Sequence, residues 1–84
     1  MVMTMTNNKV EFSEWKRKLL MKLISIASES NNDEERKTLD ALINELRYLR
    51  FRDVSGFIAD LWVYCNYFKK YEICKEATVY EITE

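Results

Sequence analysis

Two cysteines, Cys65 and Cys74, and three closely spaced arginines, Arg47, Arg50 and Arg52, offer the most direct chemistry in this 84-residue chain. A cysteine pair can ligate a metal, act as a nucleophile or close a disulfide. The arginines are interleaved with Tyr48 and Phe51, and a guanidinium grips phosphate or carboxylate bidentately. Against this stands the absence of histidine. Ser-His-Asp and Cys-His catalysis, imidazole general-base chemistry and every His-containing metal site are excluded. Two cysteines alone cannot close a zinc site. Gly56 is the single glycine, too few for a glycine-rich phosphate cradle. Carboxylate pairs such as Glu34/Glu35 and Glu72/Glu76 fall on predicted polar faces. Burial or close like-charge pairing is what fits a carboxyl for acid–base work. The expectation is a non-enzymatic protein with no catalytic residue, no metal and no cofactor.

The cysteines belong to one predicted helix. Nine residues of straight helix separate their Cα atoms by about 13.5 Å, whereas a disulfide needs less than ~7 Å. An internal bridge is therefore not expected, although an intermolecular one stays open. Cys65 lies on the apolar face and reads as an inert packing thiol. Cys74 is followed by Lys75, but adjacency along a helix does not bring the two groups together. Free thiols, with no basic–apolar–small signal order at the N-terminus, lead to the expectation of a reducing, cytoplasmic setting. No apolar run approaches the ~18–20 residues that span a bilayer.

The arginine group has two readings. The favoured one is a helix C-terminus carrying cations that suit its dipole, paired with Glu45 and Asp53. The alternative is a nucleic-acid or nucleotide-binding module, or a patch for an acidic partner. A helix-turn-helix would supply the right order of elements. Its recognition helix, however, would begin Val54, Ser55, Gly56, Phe57, Ile58, with nothing to read base edges. The net charge of −1 gives no global attraction to nucleic acid or anionic membrane. Charge is distributed unevenly, with Lys9, Lys16, Arg17, Lys18 and Lys22 early and Glu72, Glu76, Glu81 and Glu84 late. Opposite ends could attract within one chain or head-to-tail between chains; solvated helix faces are the plainer reading.

The elements that position these groups are helices. There is no proline and one glycine, and β-rich folds need both at their turns. The expected fold class is mainly α: one small domain over residues 1–84, a three-helix bundle-like arrangement of about 9–29, 33–51 and 54–76, with possible short terminal β segments. Asn8 with Glu11, and Asn32 with Glu35, read as N-caps with capping-box partners. Phe12, Trp15, Leu19, Leu20, Leu23, Ile26 and Ala27 mark the first apolar face. Leu39, Leu42, Ile43, Leu46 and Leu49 mark the second. The alternation in residues 1–6 is strand-like, and residues 78–83 form a better strand candidate; the two ends could pair as a small ribbon. Residues 9–27 also have the pattern of a basic amphipathic helix for a membrane surface or partner groove. Those leucines are needed for so small a core.

The third helix has more apolar surface than one core face uses. Val54, Phe57, Ile58, Leu61, Tyr64, Cys65 and Phe68 form its main stripe, leaving Val63, Tyr67, Tyr71 and Cys74 opposite and Trp62 on a flank. Tyr and Trp are enriched at interface hot spots. The expected interface is therefore Trp62, Val63, Tyr67, Tyr71 and Cys74. The expected function is protein–protein interaction, as a homo-oligomer or through a partner protein. A small regulator, adaptor or inhibitor fits. A chain this compact and rich in Lys, Asn, Glu and Ile suits a viral or mobile-element source, by association only.

Overall fold

The computed structural model describes residues 9–84. In order, the elements are β1 (Lys9–Glu11), α1 (Phe12–Glu29), α2 (Asp33–Arg47), a 3-10 turn (Phe51–Asp53), α3 (Val54–Phe68), α4 (Tyr71–Thr78) and β2 (Glu81–Thr83). The fold is mainly α with short β segments, as the composition predicts. α1 and α2 form an antiparallel hairpin, and α3 and α4 close over it. One core runs through all four helices: Trp15, Leu19 and Leu23 from α1; Leu39, Leu42, Ile43 and Leu46 from α2; Phe57, Leu61, Tyr64 and Cys65 from α3; Ile73, Cys74 and Ala77 from α4.

The apolar stripes are the ones the spacing predicts, but three boundaries differ. The first helix starts at Phe12, because residues 9–11 are drawn into extended pairing. Glu11 sits at its N-cap position and makes no side-chain capping bond; Asn8, the expected cap, lies outside the described residues. The second helix ends at Arg47 rather than at residue 51. Leu49 N–H bonds the Leu46 carbonyl at 3.2 Å, closing a tight turn that delivers Leu49 into the core. The predicted third helix is two helices. The chain breaks at Lys69, whose φ of 58° is left-handed.

β1 and β2 pair in parallel, with Lys9 opposite Glu81, Val10 opposite Ile82 and Glu11 opposite Thr83. The segment that joins β2 is residues 9–11; the alternating residues 1–6 lie outside the described residues. An isolated ribbon of this length would be marginal. Here Val10 and Ile82 pack on the helical core. Nearby, the Trp15 indole N–H donates to the Ala77 carbonyl at 3.0 Å, tying α1 to the end of α4. The Lys16 ammonium donates to the Leu49 carbonyl at 3.0 Å, tying α1 to the corner after α2. Phe12 meets Phe51 edge-on at 5.8 Å, and Trp15 meets Phe57 edge-on at 6.3 Å. Among the described residues, no helix is long and apolar enough to cross a membrane.

Candidate functional site

The α3–α4 junction corrects the reading of the cysteines. Lys69 takes the left-handed conformation just past α3, and Lys70 N–H bonds the Cys65 carbonyl at 3.0 Å. This six-residue closure is the Schellman way of ending a helix. It turns the chain so that α4 folds back beside α3, and the Cα atoms of Cys65 and Cys74 come within 6.6 Å. The two form a disulfide, buried at 0 % exposure on both sides. The straight-helix separation of about 13.5 Å does not apply, because the helix is not continuous. The inference of a reducing compartment rested on free thiols, and that premise fails: neither cysteine is free.

A polar cluster centred on Glu35 joins α2 to α3 and to the α3–α4 junction, and the residue pattern does not predict it. Glu35, expected on a polar face, is 5 % exposed. Asn32 does cap α2, its Oδ1 accepting from Glu35 N–H at 3.1 Å. The Glu35 carboxylate does not return to the cap. One oxygen accepts from the Ser30 hydroxyl at 2.8 Å, and the other from the Tyr64 hydroxyl at 2.7 Å and the Lys70 ammonium at 3.1 Å. Ser30 Oγ in turn accepts from Asn32 N–H at 3.2 Å, so the box is closed through a relay. Burial alone would raise the Glu35 pKa. The three hydrogen bonds and the Lys70 charge outweigh it and hold the carboxyl below its ordinary value. Burial and the Glu35 charge push the Tyr64 phenol above its own. A tyrosine on a core stripe needs a hydrogen-bond partner, and that requirement was the available signal for this cluster. Among the described residues no buried side-chain N or O is left without a partner, and a fully satisfied buried network rigidifies the packing around it.

The outer face of α3 is different. Val63 and Tyr67, one turn apart, are 68 % and 67 % exposed. The Tyr67 ring braces edge-on against Phe68 at 4.8 Å, and Phe68 leans on Tyr64 at 5.3 Å. Beside them lies a shallow groove of about 230 Å³ between α2 and α3, lined by Glu34, Thr38, Asp60, Val63, Tyr67 and Phe68 among others. Its acidic character continues along the helices. Desolvation, followed by the neighbouring Asp60 carboxyl, lifts the Glu45 pKa.

The five residues expected at an interface are thus dispersed. Val63 and Tyr67 share the outer face of α3. Trp62 is half-buried and packed on the core. Tyr71, partly exposed, sits past the break at the start of α4, in a separate cleft with Lys69 and Lys70. Cys74 is in the core and offers no surface. Of the arginines, Arg47 ends α2 while Arg50 and Arg52 flank the corner. The expected pairing with Glu45 and Asp53 does not form: among the described residues, none of the three has a carboxylate within 4.0 Å. Nor do the described residues bring together three potential metal ligands. No protein-family model matches this chain, and no curated protein or solved structure matches it either.

Proposed function

We propose that this protein is a non-enzymatic interaction module whose outer α3 face binds protein, either a second copy or a partner. The observation that supports this reading is the pair Val63 and Tyr67, both more than two-thirds exposed on a helix whose opposite face is locked into the core. Apolar and aromatic side chains held on a rigid element lose little entropy on docking and return the full burial term, about 25 cal/mol per Å² before association costs. A regulator, adaptor or inhibitor acts by this kind of contact.

The test is the solution mass of the wild-type chain over a dilution series, together with capture of binding proteins. Tyr67→Ala and Val63→Lys are the comparison variants. An assembly or complex that disappears in both variants supports the reading. One that survives both with unchanged affinity refutes it. The alternative reading, nucleic-acid binding, draws on the three arginines, which have no carboxylate within 4.0 Å among the described residues. It requires oligonucleotide affinity that falls steeply with salt and is lost on Arg47→Ala, Arg50→Ala and Arg52→Ala.

A further inference from the structure

α2 carries opposite charge along its two edges. The edge facing α3 borders the groove already described, where Glu34 and Asp60 flank Val63 and Tyr67. The edge facing α1 borders a second groove, of about 320 Å³, where Arg36 and Arg47 flank Ile24 and Ile43. Among the described residues, Asp40 is the one acidic side chain lining that second groove. Ile24 is partly exposed there. Neither Arg36 nor Arg47 has a carboxylate within 4.0 Å among the described residues. One groove is therefore apolar with an acidic rim, and the other apolar with a basic rim.

We propose that the occupant of the acidic α2–α3 face is a second copy of this chain, docked head to tail through its basic α1–α2 groove. The proposal rests on the reading that the outer α3 face binds protein, and it names the partner. Val63 and Tyr67 of one copy cover Ile24 of the next, while Glu34 and Asp60 meet Arg36 and Arg47. The alternative self-pairing, α3 face against α3 face about a two-fold axis, would set Glu34 and Asp60 against their own copies. Like charges facing each other oppose association. A head-to-tail contact uses two different surfaces on each copy, so it propagates into a ring or an open chain rather than stopping at two. Its charged rim makes it weaken as salt rises.

The experiment is light scattering on the full chain at low salt over a dilution series, using wild type, Asp60→Lys, Arg47→Glu and Tyr67→Ala. The wild-type mass should climb above the 10.1-kDa monomer with concentration and fall when salt is added. Each charge reversal should weaken association by roughly tenfold or more. An equimolar mixture of Asp60→Lys and Arg47→Glu should recover it, because the altered rim of each then complements the altered rim of the other. Glu34→Lys serves as a second acidic-rim variant should Asp60→Lys lose its helical circular dichroism. A wild-type chain that stays monomeric throughout overturns the proposal, as does failure of the folded mixture to recover. Assembly that survives Arg47→Glu but fails in Tyr67→Ala overturns the head-to-tail geometry while leaving the α3 interface standing. Assembly indifferent to Tyr67→Ala overturns both.

Discussion

The two faces of α3 are made of similar residues and meet opposite surroundings. The inner face holds Phe57, Leu61, Tyr64 and Cys65, each at most 1 % exposed. Its one hydroxyl is matched to Glu35, and its one thiol is joined to Cys74. The outer face presents Val63 and Tyr67 to solvent. Hydrophobicity alone does not separate them. What does is whether each side chain meets a neighbour from α1, α2 or α4. Stability should therefore reside on the inner face and recognition on the outer one.

That contrast can be broken or sharpened by substitution. The largest effect should come from Leu61→Ala, which opens a cavity where the side chain is fully enclosed. A loss of about 2–5 kcal/mol in urea unfolding is expected. Replacing both cysteines with alanine should cost about 3 kcal/mol, the loop-closure term for a bridge spanning nine positions. Adding reductant to the wild type in denaturant should reproduce that shift, whereas free thiols would give none.

Tyr64→Phe should cost about 1–3 kcal/mol, because it takes one donor from a buried carboxylate and leaves the rest in place. The same variant tests the pH behaviour. Glu35 has a folded pKa below its unfolded value, so its contribution is present above the ordinary carboxylate range and is lost as pH falls through the folded value. Tyr64 has a raised folded pKa, so stability also falls as pH climbs past the ordinary tyrosine value. Tyr64→Phe should flatten the slope at both ends; unchanged slopes would show that the cluster is not the source.

Lys69→Gly should raise stability by about 0.5 kcal/mol. It relieves a left-handed L-residue that costs roughly 1–2 kcal/mol, less the entropy that glycine loses on folding. A fall in stability would mean that the Lys69 side chain contributes more than its backbone conformation costs. The smallest effect should be Val63→Ser, within about 0.5 kcal/mol of wild type in unfolding. A large loss there would erase the distinction between the two faces.

Much of this architecture was legible from residue types. The stripes of α1 and α2 predict their buried faces because burial recurs with the helical period. Asn32 and Glu35 mark the start of α2, since only a short polar side chain can reach the free N–H groups of the first turn. The surplus on the outer α3 face was equally visible, and Val63 and Tyr67 are where it emerges. The break at Lys69 was not. Left-handed helix ends are normally announced by Gly or Asn, and a lysine there looks like any exposed helical residue. With that break hidden, Cys65 and Cys74 appear two and a half turns apart, and Cys74 and Tyr71 fall on the wrong face.

The sequence by itself determined the helical class, the core stripes and the absence of histidine chemistry, because composition and periodicity act locally along the chain. Only the tertiary structure decided that the cysteines meet, that Glu35 is buried beneath Tyr64 and Lys70, and that the two edges of α2 carry opposite charge. Those outcomes join residues 9 to 35 positions apart, and their relative placement depends on a turn at Lys69 and on the angle at which helices cross. Local propensity does not encode either. The packing of the whole core does.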